Sequence, residues 1–107
     1  MPHYLFQISY NDTAVKHLID KPQPREDIIA TLIESLGGRM LQFYFCFGEF
    51  DQIAVAELPN NEAAAAAAMS GRAAGAVARV QTTALLTSEE AVRAMQTAGK
   101  AQYTPPT

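Results

Sequence analysis

The segment Arg39–Leu58 constrains the possible folds of this chain more than any other segment. It contains an apolar run, a short interruption at Gly48-Glu49-Phe50-Asp51, and a second apolar run that begins at Gln52. Two apolar runs joined by a short glycine-containing segment predict a β-hairpin. Alternate residues of Met40–Phe47 would point to opposite faces, one with Leu41, Phe43, Phe45 and Phe47, the other with Met40, Gln42, Tyr44 and Cys46. Since neither face is polar enough for water, the hairpin needs a cover on each side.

A strand and two helices are predicted before the hairpin. Residues His3–Tyr10 alternate between two faces with a period of two, which is typical of a strand. A short helix of about Thr13–Ile19 follows, and Asn11-Asp12-Thr13 supplies oxygens that can cap it. The segment Lys21-Pro22-Gln23-Pro24 breaks this helix. A second helix, with an apolar stripe at helical spacing, then runs to Gly37-Gly38.

A helix, a strand and a last helix are predicted after the hairpin. Pro59-Asn60-Asn61-Glu62 starts an alanine-rich helix, and we expect this helix to lie close on the sheet because alanine is small. Gly71 and Gly75 then bracket a loop. The alternating segment Ala76–Leu86 predicts the fourth strand, and the capping box Thr87-Ser88-Glu89-Glu90 begins the last helix.

If the two helices before the hairpin are counted as one crossover, the predicted order is strand, helix, strand, strand, helix, strand, followed by a terminal helix. A central hairpin flanked by two crossover helices is typical of the ferredoxin-like α+β sandwich, βαββαβ. Its helices cover one face of the sheet, and the chain is too short for an obvious second layer. We therefore expect copies to pair through their sheet faces as a dimeric α/β barrel, in a homodimer or a higher even oligomer. Residues 1–97 would form the single domain, and residues 98–107 a loosely ordered C-terminal tail.

Composition excludes several classes of function. The chain has 107 residues, a net charge of −3 and eight basic residues spread along its length, so no surface for nucleic acid is expected. Its apolar runs are shorter than the ~20 residues that span a bilayer, and its first residues lack the pattern of a signal peptide, so we expect a cytoplasmic protein. The lone Cys46 excludes an internal disulfide, and its place in an apolar strand indicates a small buried hydrophobe.

Several segments resemble the GYD domain family of small bacterial proteins. The matching segments are Leu36-Gly37-Gly38-Arg39, Gly48-Glu49-Phe50-Asp51 and Glu57-Leu58-Pro59-Asn60-Asn61-Glu62-Ala63. The Tyr4 strand and the Thr87 helix start also fit, so the resemblance extends to about Met95. The family is named for the turn of its central hairpin, where this chain has Phe50 in place of tyrosine. The resemblance implies a ferredoxin-like fold related to dimeric α/β barrels, and it implies no particular reaction. If that tyrosine hydroxyl does chemistry in relatives, this chain lacks it.

Tyr44, His17 and Asp51 are the candidates for proton transfer, because burial in an apolar pocket would shift their pKa values. Asp51 could act as a base or an anchor at the mouth of a cavity, or it could hydrogen-bond its own backbone, as turn aspartates do. His3 and His17 have no second histidine or cysteine four residues away, so no metal site is predicted. Nothing in the sequence indicates a cofactor.

Tyr44, Arg79 and Arg39 are the candidates for binding a small molecule. They are polar side chains in or beside apolar strands, and a few convergent polar groups in an apolar cavity are typical of such a site. The alternative is that they pair across strands or hydrogen-bond between subunits, and Glu57 could pair with Arg39 or Arg79.

Three hypotheses on function stay open. The first is a small-molecule-binding or self-assembling homo-oligomer, whose partners are other copies of the chain and a small apolar ligand. The second is an enzyme of the cofactor-free monooxygenase or isomerase type, which is an inference from fold-level analogy. The third is an assembly unit whose only activity is self-association.

Overall fold

The hairpin belongs to a four-stranded antiparallel sheet with four helices. The computed structural model describes residues 1–107. Its elements in chain order are β1 (His3–Tyr10), α1 (Asp12–Asp20), α2 (Glu26–Ser35), β2 (Arg39–Phe45), β3 (Gln52–Glu57), α3 (Asn61–Ala73), β4 (Val77–Leu85) and α4 (Ser88–Ala98). The strands lie in the order β2-β3-β1-β4, with every neighbouring pair antiparallel. This is the ferredoxin-like arrangement that the sequence predicts.

Side-chain caps begin three of the helices where the sequence predicts them. The Oδ1 atoms of Asn11 and Asn60 each accept a hydrogen bond of 2.9 Å from the N–H three residues further on. At α4, the Thr87 hydroxyl accepts from the Glu90 N–H at 3.1 Å, and the Glu90 carboxylate accepts from the Thr87 N–H at 3.0 Å. These bonds satisfy N–H groups that have no partner within the helix.

The hydrophobic core lies between the sheet and helices α2 and α3. Its buried members are Tyr4, Phe6, Ile33, Ala56, Leu58, Ala64 and Ala67. Helix α3 contributes only alanines to this core, so it lies close on the sheet, as expected from its composition. The helix continues through Gly71 to Ala73, and the predicted loop boundary at Gly71 is wrong. A helix interior tolerates one glycine at a cost of about 1 kcal/mol, and the turn forms at Gly75, whose φ is 86°.

A β-bulge changes the faces of β2. The register with β3 shifts between Met40 and Gln42, so that Met40 pairs with Ala56 while Phe43 pairs with Ala54. A bulge inserts one extra residue into the strand. The residues before the bulge therefore point to the face opposite to the one that simple alternation predicts from the residues after it. Met40 therefore shares the helix-facing side with Phe43, and its predicted place on the opposite face is wrong.

The hairpin turn begins earlier than predicted. Strand β2 ends at Phe45, and Phe47 is 99% exposed. Cys46 is exposed, because it lies in the turn and not in the strand, so its predicted role as a buried hydrophobe is wrong. Its thiol donates a hydrogen bond to the carbonyl oxygen of Phe50 at 3.2 Å.

The other face of the sheet, which we call the open face, carries no helix. It presents an apolar patch formed by Leu5, Ile53, Val55 and Tyr44. Gln7 pairs with Ile53, Gln42 pairs with Val55, and Gln81 pairs with Gln7, so this face is more polar than the sequence predicts. Helix α4 makes no substantial contact with any other helix or strand, and it buries none of its residues.

The chain is extended for its size. Its radius of gyration is 17.0 Å, whereas a compact domain of 107 residues has a radius of about 13 Å. No helix is both long enough and apolar enough to cross a bilayer.

Candidate functional site

A cavity of ≈ 290 Å³ lies between the helix-facing side of the sheet and helices α2 and α3. Fourteen of its eighteen lining residues are hydrophobic, which makes it suitable for an apolar molecule. Helix α2 supplies large side chains such as Ile29 and Leu32, whereas α3 supplies Ala67, Ala68 and Gly71. The small side chains of α3 leave this space unfilled, so the alanine-rich segment that closes the core also creates the cavity.

Apart from Ser70 on α3, the polar side chains of the cavity form one group of Tyr10, Gln52 and Arg25. The Tyr10 hydroxyl donates a hydrogen bond to Oε1 of Gln52. Gln52 is fully buried, and its Nε2 atom has no hydrogen-bond partner. A buried donor without a partner costs about 1–3 kcal/mol, so Gln52 is an unfavourable residue to place in this wall.

Arg25 brings a positive charge to the same group. It precedes α2, and its guanidinium donates a hydrogen bond to Oε1 of Gln23 at 3.3 Å. No carboxylate lies within ion-pair distance of Arg25, and no Asp or Glu lines the cavity. The polar group therefore carries a positive charge without a negative partner.

The pKa of Tyr10 is raised above its usual value of 10.0, because burial disfavours the phenolate. The positive charge of the neighbouring Arg25 opposes this shift, and the negative charge of Asp51 adds to it. Tyr10 is therefore neutral at pH 7, where it acts as a hydrogen-bonding group and not as a base.

The hairpin turn holds Tyr10 in place through its backbone. Oδ2 of Asp51 accepts a hydrogen bond from the Tyr10 N–H at 2.9 Å. The Asp51 N–H donates to the carbonyl oxygen of Ile8 at 2.8 Å. The carboxylate of Asp51 thus ties the turn to the end of β1, next to the polar group of the cavity.

Phe50, which stands where the turn of the similar family has tyrosine, packs beneath the guanidinium of Arg79. Phe50 is buried, and the guanidinium of Arg79 lies 5.1 Å from the centre of its ring. Arg79 also forms an ion pair of 2.7 Å with Glu49, whose carbonyl oxygen accepts a hydrogen bond from the Ser9 hydroxyl at 2.8 Å. Phe50 therefore anchors the turn against the end of β4.

The three residues predicted for proton transfer are not brought together. Tyr44 lies on the open face and is 58% exposed, His17 is exposed on α1, and Asp51 lies in the hairpin turn. None of them lines the cavity. Their catalytic role stays a prediction, and it would require a site outside this cavity.

The residues predicted for ligand binding also lie away from the cavity. The open face of the sheet carries Tyr44, Arg39 and Arg79, and the two arginines lie at opposite ends of it. Arg39 forms an ion pair of 3.2 Å with Glu57, which is one of the two pairings the sequence predicts. His3 lies 3.5 Å from the same carboxylate. No group of three or more histidine, cysteine, aspartate or glutamate side chains is placed to hold a metal ion.

Sequence reasoning missed all three residues of the polar group. The alternation of β1 puts Tyr10 on the same strand face as Phe6, but it does not identify the neighbours across the sheet. Gln52 alternates with Ala54 and Ala56 on the buried side of β3, and a polar residue in that position was the available signal. Arg25 gave no signal, because it lies in the irregular segment between two helices.

Comparison with known proteins agrees with this fold. The GYD domain family matches residues 4–95. The chain is similar to the crystal structure of MtbAldR, with a TM-score of 0.58 and 14% identity, over 80% of this chain and 53% of that one. This chain thus spans about half the length of MtbAldR. It is also similar to TTHA0845 from Thermus thermophilus, with a TM-score of 0.53 and 17% identity, over 82% of this chain and 96% of that one. No protein of curated function matches the sequence.

Proposed function

We propose that this chain, which belongs to the GYD domain family, binds a small molecule in the cavity between its sheet and helices α2 and α3. The observation that carries this proposal is the unpartnered Nε2 atom of Gln52 in the cavity wall. With phenylalanine at position 10, a methionine or leucine at this position would fill the wall without that cost. A ligand with a hydrogen-bond acceptor would satisfy the donor and offset the cost of burying it.

The size and chemistry of the cavity support the same function. Small-molecule sites are concave and mostly apolar, have a few convergent polar groups, and measure roughly 300–1,000 Å³. A volume of ≈ 290 Å³ places this cavity at the lower end of that range. A groove between α3 and β4 is a weaker candidate, because its Tyr4 hydroxyl already donates to Asn61 at 2.7 Å.

A blocking substitution tests this function. Ala74 and Ala73 are neighbouring, exposed residues at the end of α3, but only Ala74 lines the cavity. We expect Ala74→Leu to fill part of the space and weaken binding, and Ala73→Leu to leave it unchanged. Both variants should keep the circular dichroism spectrum of the wild type, because both positions are exposed.

The binding measurement is a titration with a panel of small apolar carboxylates, amides and alcohols, followed by saturable shifts of methyl NMR signals from Ile28, Ile29 and Ile33. Saturable shifts that Ala74→Leu abolishes and Ala73→Leu preserves would support the function. The function would be rejected if no member of the panel produced saturable shifts, or if both variants weakened binding equally.

We further propose that the chain acts as a homodimer, or a higher even oligomer, that covers the open face. The chain exposes 7578 Å², whereas a compact monomer of 11.6 kDa exposes about 5,800 Å². The excess of about 1,700 Å² exceeds the roughly 800 Å² that each partner contributes to a standard interface.

Helix α4 would take part in the same assembly. Val92 and Met95 lie one turn apart on this helix and are 50% and 69% exposed. The helix has no substantial contact within its own chain that would cover them. Packing against a second copy would bury this side of α4 together with the open face.

Native mass spectrometry with a matched pair of variants tests the assembly. We expect an even oligomer for the wild type and for Thr13→Asp, which changes an exposed residue of α1. Val55→Asp places a charge in the middle of the open face, so we expect a folded monomer. A monomeric wild type, or a Val55→Asp variant that assembles like the wild type, would reject this arrangement.

A further inference from the structure

The hydrogen-bonding inventory of the cavity is unbalanced in favour of donors. The only acceptor of the Gln52 amide already receives the Tyr10 hydroxyl, which leaves both N–H groups of Nε2 free. Arg25 carries five N–H donors, of which one bonds to Gln23. A ligand that satisfies this group must therefore present acceptors.

The charge of the site points to the same requirement. Arg25 is the only charged residue that lines the cavity. Glu26 and Asp27, which follow it in the first turn of α2, are exposed and do not line the cavity. Asp51 lies near Tyr10, but its Oδ2 atom accepts from the Tyr10 N–H. An anionic acceptor would pair with Arg25 and accept from Gln52 at once, and such charge-assisted bonds are about twice as strong as neutral ones.

The apolar walls limit the rest of the ligand. At roughly 30 Å³ for a water-sized group, a volume of ≈ 290 Å³ holds on the order of ten non-hydrogen atoms. The remaining lining consists mainly of aliphatic side chains from α2 and small residues from α3, which offer few partners to further polar groups.

We infer that the ligand is a small monocarboxylate with an apolar body, whose carboxylate accepts hydrogen bonds from Arg25 and Gln52. This inference rests on the proposed function and specifies the substrate class of the same cavity. Octanoate has the required size and charge. Octanamide has the same shape and a carbonyl acceptor but no charge, so the two compounds isolate the contribution of the anion.

The test compares the two compounds by titration calorimetry at pH 7 on the full chain. An ionic hydrogen bond contributes about 1–1.5 kcal/mol more than a neutral one, and the carboxylate accepts two such bonds, so we expect octanoate to bind roughly 30- to 150-fold more tightly than octanamide. Arg25→Gln should remove most of this preference. Arg93→Gln, which removes an exposed arginine of α4 outside the cavity, should retain it.

Each outcome separates the ligand class from the function itself. Equal binding of the two compounds, or stronger binding of octanamide, would overturn the carboxylate and leave the binding function standing. An equal loss in Arg25→Gln and Arg93→Gln would also overturn it, because the preference would then reflect overall charge. If neither these compounds nor the wider panel bound, both proposals would fail.

Discussion

The polar pair in the cavity wall should reduce the stability of the ligand-free protein, and a double-mutant cycle of Tyr10 and Gln52 measures this effect. In the single variant Tyr10→Phe, both ends of the buried Gln52 amide lack a partner. We expect a loss of about 1–3 kcal/mol in the free energy of unfolding, since this is the usual cost of leaving a buried polar group unpaired.

The other members of the cycle should behave differently. Gln52→Met removes the unpaired Nε2 donor, which gains stability, but it also removes the acceptor of the Tyr10 hydroxyl, which loses it. We expect these effects to cancel to within about 1 kcal/mol. The double variant leaves no unpaired polar group from this pair, so it should exceed the wild type by about 1–3 kcal/mol.

Urea denaturation at one fixed protein concentration measures all four proteins, because the stability of an oligomer depends on concentration. The double variant should also lose its affinity for octanoate, since a site that gains stability in this way gives up function. If the double variant were destabilised by the sum of the two single changes, Nε2 of Gln52 would have a partner in solution. The main support for the cavity as a binding site would then be lost.

Further measurements test the packing of two glycines and the titration of two side chains. Gly71→Ala should raise the free energy of unfolding by about 0.5–1 kcal/mol, since Gly71 lies inside α3 with no heavy atom within 4 Å of the added methyl group. Gly38→Ala should lower the free energy of unfolding by about 1–3 kcal/mol, because the new Cβ would clash with the Glu57 carbonyl oxygen. Urea denaturation measures both variants, and equal changes in the free energy of unfolding would contradict the packing described for the two glycines. The raised pKa of Tyr10 contributes stability below pH 10, and this contribution is lost as the pH rises through the folded-state pKa. When the pH is raised above 10, the free energy of unfolding should therefore fall less for Tyr10→Phe than for the wild type. The lowered pKa of Glu90 stabilises α4 above pH 4.5, and this effect is lost as the pH falls through the folded-state pKa. Amide exchange in α4 should therefore differ between wild type and Glu90→Gln at pH 7, and the difference should shrink as the pH is lowered through the folded-state pKa.

The local rules of the chain predicted most of its secondary structure. The alternation of His3–Tyr10 predicted β1 with its observed bounds, because each side chain of a strand shows its face directly in the sequence. The caps at Asn60 and Thr87 predicted two helix starts, since capping depends on residues within one turn. The order of these elements was sufficient for the ferredoxin-like fold.

The errors arose where neighbours in space decide the structure. The bulge at Met40 depends on how β2 pairs with β3, and no residue of β2 alone indicates it. The exposed position of Cys46 follows from where that pairing ends. Tyr44 and Arg79 are polar residues within apolar strands, which made them candidates for a cavity, but alternation alone does not tell which face of the sheet is open.

The sequence by itself determined the elements of this protein, their order and the small side chains of α3, because these depend on local patterns. Only the tertiary structure decided the candidate site. Tyr10, Arg25 and Gln52 come from the end of one strand, an irregular segment and the start of another strand, and only the fold brings them to one cavity. The missing partner of Gln52 is a property of that assembled environment, since an amide in an unfolded chain is satisfied by water.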